Sequence, residues 1–156
     1  MRSLDRSMVT VVVGILSLLL FQCQDSAAQN VVSGGIGNIA DAGGNWNTIS
    51  GGNSNTASLY YATISGGSTN QVSGNYGTIG GGQFNDAFSS CTVAGGASNT
   101  ASEAFSTVGG GAGNRALGYS AVVAGGGENY AVGNYSTATG GSSNIAKTEY
   151  VGGFSL

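Results

Sequence analysis

One short phrase, Gly-Gly-x-x-Asn-x-Ala, recurs along the chain and constrains its fold more than any other feature. It first occurs at 34–40 and last at 140–146. Between these the Gly pair returns at positions 51, 66, 81, 95, 110 and 125, about every 15 residues. A unit of this length cannot enclose a hydrophobic core alone, so neighbouring units must stack and bury a shared core.

Equivalent residues form columns when the units are aligned on the Gly pair. The stretch Tyr61-Ala62-Thr63-Ile64-Ser65 alternates, as a half-buried strand does. The Gly pair permits a sharp change of direction, and the Asn after it is typical of a turn with left-handed geometry. Val72, whose counterparts are Ala, is expected to face the same interior as Ile64. The predicted turn ladder comprises Asn38, Asn55, Asn70, Asn85, Asn99, Asn114, Asn129 and Asn144.

The repeat predicts an all-β fold, a parallel β-solenoid (β-roll) of about eight 15-residue coils. Each coil should hold two short strands and two bends, and stacked Asn amides and Thr hydroxyls are expected to form ladders. The first unit has two extra residues around 43–45, predicted to bulge as a loop before Trp46. The unit that begins at Gly81 is one residue short. Cys91 falls there in a column of small residues, which favours a buried structural thiol over a reactive one.

The N-terminus predicts a secretory signal peptide at 1–28, followed by the repeat domain at 29–156. Arg2 and Arg6 precede an apolar run at 9–21 and small residues at 26–28, the pattern of a cleavable leader. An uncleaved anchor, or a lipid on Cys23, is the alternative. The mature chain is expected to have no membrane span, no internal disulfide, and a secreted, extracellular or cell-surface location.

The composition argues against an enzyme. The chain has no His, which removes the commonest general base, most zinc sites and Ser-His nucleophiles. The carboxylates at 86, 103, 128 and 149 occupy different columns, so neither a catalytic pair nor a calcium site is expected. Only 7% of residues are charged, and the balance is acidic, so nucleic acid is an unexpected partner. We therefore predict no catalytic residues, no metal and no cofactor.

Two columns on one strand face are candidates for a binding surface. The Thr column comprises Thr48, Thr63, Thr78, Thr92, Thr107 and Thr137, and the aromatic column includes Tyr61, Tyr76, Phe105 and Tyr135. Stacked exposed aromatic residues make a good contact surface for proteins or glycans, and they could equally pack against a neighbouring protomer. A regular Thr array could instead bind ice, although the paired Thr-x-Thr pattern occurs only at 137–139.

The segments 116–125 and 131–140 resemble the head repeats of trimeric autotransporter adhesins, the YadA-like head. This resemblance implies a left-handed parallel β-roll that trimerises and binds extracellular-matrix proteins or other cells. The chain departs from that family in its 15-residue period and its Gly pair, and it shows no coiled-coil stalk or membrane barrel.

These features together predict a secreted, non-enzymatic structural or adhesive solenoid. It should bind an extracellular protein or glycan surface, or self-associate as a homo-oligomer such as a trimer or a fibre, through the Thr and aromatic face. An ice-binding protein that uses the Thr column is the alternative, and a head-to-tail fibre subunit is a second one.

Overall fold

A computed structural model describes residues 30–40, 45–147 and 152–153, so the predicted leader and the tip of the first loop lie outside it. Within these ranges the chain is a series of two-residue parallel strands separated by bends, without a helix. Most strands pair a β-branched or polar residue that points outward with an apolar residue that points inward. This alternation is the expected consequence of a half-buried strand.

The described strands form two sheets, in which each strand pairs with the next but one along the chain. The first sheet consists of β1 (Val31–Val32), β3 (Thr48–Ile49), β5 (Thr63–Ile64), β7 (Thr78–Ile79), β9 (Thr92–Val93), β11 (Thr107–Val108), β13 (Val122–Val123), β15 (Thr137–Ala138) and β17 (Gly152–Gly153). The second sheet consists of β2 (Ile39–Ala40), β4 (Thr56–Ala57), β6 (Gln71–Val72), β8 (Asp86–Ala87), β10 (Thr100–Ala101), β12 (Arg115–Ala116), β14 (Tyr130–Ala131) and β16 (Ile145–Ala146).

The register confirms the predicted β-solenoid. Thr63 is paired with Thr48 on one side and with Thr78 on the other, so equivalent residues of successive coils lie directly over one another. Each coil therefore returns the chain to the same point of the cross-section, one strand spacing farther along the solenoid axis.

The two irregular coils keep this register although they are longer and shorter than the others. Val31 pairs with Thr48, so this coil carries the two extra residues, although 41–44 lie outside the described ranges. In the short coil, Ala87 and Cys91 are separated by three residues, Phe88 to Ser90. The equivalent segment from Ala57 to Ala62 contains four.

The two predicted strands per coil are confirmed, and a third line of pairing, which was not predicted, runs between the two sheets. One residue after each Gly pair forms an isolated parallel bridge to its equivalent in the next coil. The third segment was missed because it is a single residue long and its type varies from coil to coil. The bridged residues are Ile36, Asn53, Ser68, Gln83, Ala97, Ala112, Gly127 and Ser142.

The core is a narrow apolar column whose members decrease in size along the chain. Its larger side chains come from the first sheet: Ile49, Ile64, Ile79, Val93, Val108, Val123 and Ala138. The facing column of the second sheet is Ala except for Val72, which is fully buried, as predicted. Val72 fits because Gly77 lies beside it: a Cβ at Gly77 would meet Val72 Cγ1 at 2.5 Å. Val72 thus occupies, beside a glycine, the space that Ala57 and Ala62 fill together in the preceding coil.

The Gly pair has a different role at each position. A Cβ added at the second Gly, such as Gly67, would collide with the carbonyl oxygen of Gly82 in the next coil. At the first Gly, such as Gly66, a Cβ would meet nothing within 4 Å, but the backbone φ of +150° is one that other residues rarely adopt. The second Gly is therefore required for stacking and the first for backbone conformation.

Candidate functional site

The Asn column forms a buried hydrogen-bond ladder that runs along the solenoid. The Nδ2 of Asn70 donates to the carbonyl oxygens of Gly66 and Gly82, each at 3.0 Å. Its Oδ1 accepts from the backbone N–H of Asn85 at 3.0 Å. Each side chain therefore closes its own bend and joins the next coil. A buried amide whose donors and acceptor are all bonded stabilises the structure and specifies the register.

The sequence predicted left-handed geometry at the Asn, and this prediction is wrong. The residue with a positive φ at this bend is the one immediately before the Asn. Thr69, for example, has a φ of +55°, and its equivalents are also at positive φ. Asn70 instead lies buried immediately before β6, with its amide bonded to the carbonyl oxygens of Gly66 and Gly82. The members of this second column are Gly37, Ser54, Thr69, Phe84, Ser98, Gly113, Glu128 and Ser143.

Cys91 is fully buried, in agreement with the prediction of an inward, structural thiol. Its Sγ lies 3.0 Å from the carbonyl oxygen of Glu103, to which it donates, and 3.3 Å from the Ser106 Oγ of the next coil. No solvent-facing surface is left for a reaction at this sulfur.

The Thr column lies on the outer face of the first sheet in continuous register for the five strands β3 to β11. Val122 interrupts it before Thr137. Among the described residues no hydrogen bond links one Thr hydroxyl of this column to the next, so the expected Thr ladder is absent there. The hydroxyl groups of these residues are consequently available to solvent or to a partner.

The aromatic column lies at a bend, not within the strand as the alternation indicated. Tyr61 has a φ of +59° and Tyr76 has a φ of +61°, as do the equivalent residues Trp46, Phe105 and Tyr135 at similar values. Non-glycine residues at positive φ are strained by about 1–2 kcal/mol each. The sequence could not show this, because aromatic residues normally indicate an extended strand.

The first half of this column is a continuous stack of rings. The ring centroids of Trp46 and Tyr61 are 5.1 Å apart with an interplanar angle of 7°, and those of Tyr61 and Tyr76 are 5.0 Å apart at 4°. Because the rings cover one another's faces, the outer surface of the stack presents mainly ring edges, backed by the side chains at the bend. Mutual packing of this kind stabilises the exposed rings.

The second half of the column contains a ring that the sequence pattern did not reveal. Tyr119 packs edge-to-face against Phe105 at 5.6 Å and against Tyr135 at 5.5 Å. In this coil the aromatic column holds Ser120 and not an aromatic residue. Tyr119, one residue earlier, supplies the ring that is absent at Ser120. Comparison of the aromatic column with the column one residue earlier would have indicated that Tyr119 replaces the missing ring.

Asp86 carries a carboxyl group whose pKa is raised by its surroundings. It lies on the outer face of β8, and partial burial raises the pKa of its carboxyl group above the ordinary value of 3.8. The positive charge of Arg115, two strands away, acts in the opposite direction and is the smaller effect.

The described part of the chain offers no assembled site for chemistry. It contains no group of three or more Cys, Asp, Glu or His residues that could hold a metal ion. The described residues also include no helix long and apolar enough to span a bilayer. What these residues do bring together is a rigid surface on which stacked aromatic rings flank a column of Thr hydroxyls.

No protein-family model matches this chain, and no curated protein matches its sequence. The resemblance to YadA-like heads therefore stays a prediction that is based on the quoted segments.

Proposed function

We propose that this chain is a secreted, non-enzymatic structural or adhesive module that associates with other copies of itself, or with an extracellular protein or glycan, through the Thr and aromatic face. The observation that supports this most directly is the set of exposed rings held in left-handed bends. Trp46, Tyr61 and Tyr76 remain 43–60% exposed although they stack on each other. Strained residues that persist on a surface are a recognised indication of function.

The repetition itself provides a mechanism of binding. Each coil presents the same kind of contact at a spacing of about 4.8 Å, so a repetitive partner can engage several coils at once. Individually weak contacts then add up to a strong attachment by avidity. Another copy of the same solenoid is a partner with a matching repeat.

Static light scattering over a wide range of concentration tests this proposal. We expect the apparent mass to rise with concentration, and replacement of Tyr61 and Tyr76 by Ser to reduce that rise. Serine is acceptable at these bends, since Ser90 and Ser120 occupy equivalent left-handed positions. Unchanged association in the double variant would argue against the aromatic face. A monomeric wild type would restrict the proposal to external partners.

An ice-binding function is the second candidate, supported by the regular register of the Thr column. Thr48, Thr63 and Thr78 lie on adjacent strands and face outward together. The parallel column two residues later holds Ser50, Ser65 and then glycine or alanine in four of the next five coils, so the second row of Thr is missing. Thermal hysteresis in the wild type that is lost in Thr63→Tyr/Thr78→Tyr would support this candidate, and its absence in the wild type would end it.

A head-to-tail fibre, in which a terminal coil of one copy stacks on a terminal coil of the next, is a further form of self-association. Open solenoid ends expose unpaired strand edges. At the first described coil, the core-column residue Val32 is 40% exposed. Negative-stain microscopy distinguishes long, unbranched fibres from discrete particles.

A further inference from the structure

Two residues of the same coil depart from their columns in opposite ways. Ser90 occupies the aromatic column, where five of the six other described residues are not serine but Trp, Tyr or Phe. Phe84 occupies the left-handed column before the buried Asn, where the other members are Gly, Ser, Thr or Glu. This coil therefore lacks a ring in the aromatic column, although the exposed Phe88 lies two residues before Ser90. Among the described residues no ring contact joins Phe88 to Tyr76 or Phe105. The same coil has an additional ring, Phe84, at the bend before the buried Asn.

The missing ring leaves a gap between Tyr76 and Phe105. No described ring of this column lies between them, and the successive stacked rings of Trp46, Tyr61 and Tyr76 are 5.1 Å and 5.0 Å apart. Two such steps leave roughly 10 Å between the levels of the flanking rings, which is room for one inserted ring at stacking distance from each.

The exposure of the flanking rings agrees with such a gap. Tyr76 is 60% exposed and Phe105 is 57% exposed, whereas Tyr61 and Tyr135, farther from Ser90, are 43% and 46% exposed. Because Tyr61 stacks on one face of Tyr76, the face of Tyr76 toward the gap is the uncovered one.

The additional ring is a projecting side chain with a strained backbone. Phe84 has a φ of +55° and its side chain is 57% exposed. A bulky residue in this conformation is unfavourable, and burial of the ring in a partner would offset that cost. A Ser at this position, as at Ser54 and Ser98, would meet the needs of the fold without the projection.

We call the exposed Phe84 side chain the knob and the space between Tyr76 and Phe105 the gap. The knob and the gap lie at the same level, beyond the two opposite ends of β8 in the second sheet. Phe84 is two residues before β8, and Ser90 is three residues after its last residue, Ala87. A second copy displaced sideways across this sheet, with its axis parallel, therefore brings its Phe84 to the Ser90 gap of the first. No rotation is needed.

One pair of opposite charges, Arg115 and Glu103, comes together in that arrangement, while Asp86 and Glu128 lie at the same end of the second-sheet strands as Arg115. Arg115 lies on the second sheet, two strands beyond Asp86, and its side chain is exposed. Glu103 is exposed near the gap, one coil beyond Ser89, and its carbonyl oxygen contacts Cys91. Parallel displacement places the Arg115 of one copy one level from the Glu103 of the other, about 4.8 Å along the axis and within reach of an arginine side chain. Opposite charges of this kind set orientation and register.

We propose that Phe84 of one copy inserts into the Ser90 gap of a second copy, between Tyr76 and Phe105. This inference rests on the proposed self-association and identifies its contact. Because the knob and the gap are different parts of the surface, the contact is heterologous and leaves one of each free on the pair. Parallel solenoids then add side by side into open rows.

Two variants test the knob and the gap independently. Phe84→Ser removes the knob and keeps the gap, whereas Ser90→Tyr fills the gap and keeps the knob. Each new residue is one that its own column already contains, so both variants should fold, and circular dichroism checks this. Tyr130→Thr is the matched control: it removes a ring from the outer face of β14, near one end of the second sheet, and introduces the residue found at Thr56 and Thr100.

Sedimentation velocity of the full chain provides the measurement. We expect the wild type to form species that grow with concentration, and each of the two variants alone to associate at least tenfold more weakly. An equimolar mixture of Phe84→Ser and Ser90→Tyr should form a species of two copies and nothing larger, since only one knob and one gap remain. Tyr130→Thr should behave as the wild type does.

Three results would overturn the proposal, and they differ in what they leave standing. If the wild type associates and Phe84→Ser does so equally well, the contact is wrong while self-association remains. If the mixture sediments as the sum of its separate components, the knob does not enter this gap. If the wild type is monomeric, the contact and self-association both fail, and adhesion to an external partner remains to be tested.

A charge exchange provides an independent check that leaves the rings in place. Glu103→Arg and Arg115→Glu should each weaken association several-fold, and the double variant should restore it. Failure of the double variant to recover any affinity would refute the parallel alignment.

Discussion

Replacement of Gly77 by alanine tests whether the core is packed by compensation within one coil. An ideal Cβ at this position lies 2.5 Å from Val72 Cγ1 and 2.8 Å from the carbonyl oxygen of Phe88, where ordinary contacts begin at 3.4 Å. The Phe88 oxygen also accepts a hydrogen bond from the backbone N–H of Cys91. We therefore expect Gly77→Ala to cost about 2–3 kcal/mol, the upper part of the range for overpacked cores.

The matching change, Val72→Ala, removes two methyl groups from a fully buried side chain. At about 0.8 kcal/mol for each group, with a cavity contribution in addition, it should cost about 2 kcal/mol. The double variant should cost only about 2–2.5 kcal/mol, because the new methyl at position 77 occupies the space vacated by Cγ1. The coil with Ala57 and Ala62 already contains this combination. The close approach to the Phe88 oxygen remains in the double variant and accounts for part of its cost.

Urea unfolding of the four proteins, followed by circular dichroism, measures the coupling. We expect the double variant to be about 2 kcal/mol more stable than the sum of the single changes, within the range for residues in contact. Costs that simply add, to about 4–5 kcal/mol, would refute the compensation. A Gly77→Ala variant as stable as the wild type would refute it as well.

Three further predictions concern the bends and the surface. Gly67→Ala should destabilise by more than 3 kcal/mol in urea unfolding, because its Cβ meets the carbonyl oxygen of the next coil, whereas Gly66→Ala has open space and should cost about 1–2 kcal/mol of backbone strain. Asn70→Ala should cost about 2–4 kcal/mol in the same assay, because the Gly66 oxygen and the Asn85 N–H lose their partner in a buried site; a loss below 1 kcal/mol would mean that water replaces the amide. Asp86→Asn should raise the melting temperature at pH 7 and change it little at pH 3. Burial raises the pKa of this carboxyl group, so its contribution to stability is present below about pH 4 and is lost as the pH rises through the raised value. An Asn variant whose advantage is the same at both pH values would contradict this.

The sequence predicted the architecture well because the repeat is redundant. Eight aligned units indicate which positions are buried, so the inward placement of Ile64, Val72 and Cys91 was confirmed. The pattern was misleading where a residue type has two meanings. Tyr61 indicated a strand and lies in a left-handed bend, and Asn70 indicated left-handed geometry and is buried beside a residue that adopts it.

The candidate surface was less predictable, because its features depend on differences between units and not on what the units share. Tyr119 replaces a missing ring from the adjacent column, and the Ser90 gap follows from an exception to the pattern. The gap could have been found by examining which units break the pattern, since Phe84 breaks its own column in the same coil. A repeat pattern built only from the residues that the units share does not reveal such exceptions.

The decreasing size of the inward column gives the molecule a weaker and a stronger half. Going from Ile64 to Val108 to Ala138 removes buried methyl groups at each stage, and every lost methyl weakens the local core by about 1 kcal/mol. In a one-dimensional array such losses are felt locally, since each coil touches only its neighbours. The polypeptide should therefore unravel first from the half in which this column holds Val and finally Ala138. Refolding should start where the isoleucines are stacked, which makes the thermal behaviour of this protein directional.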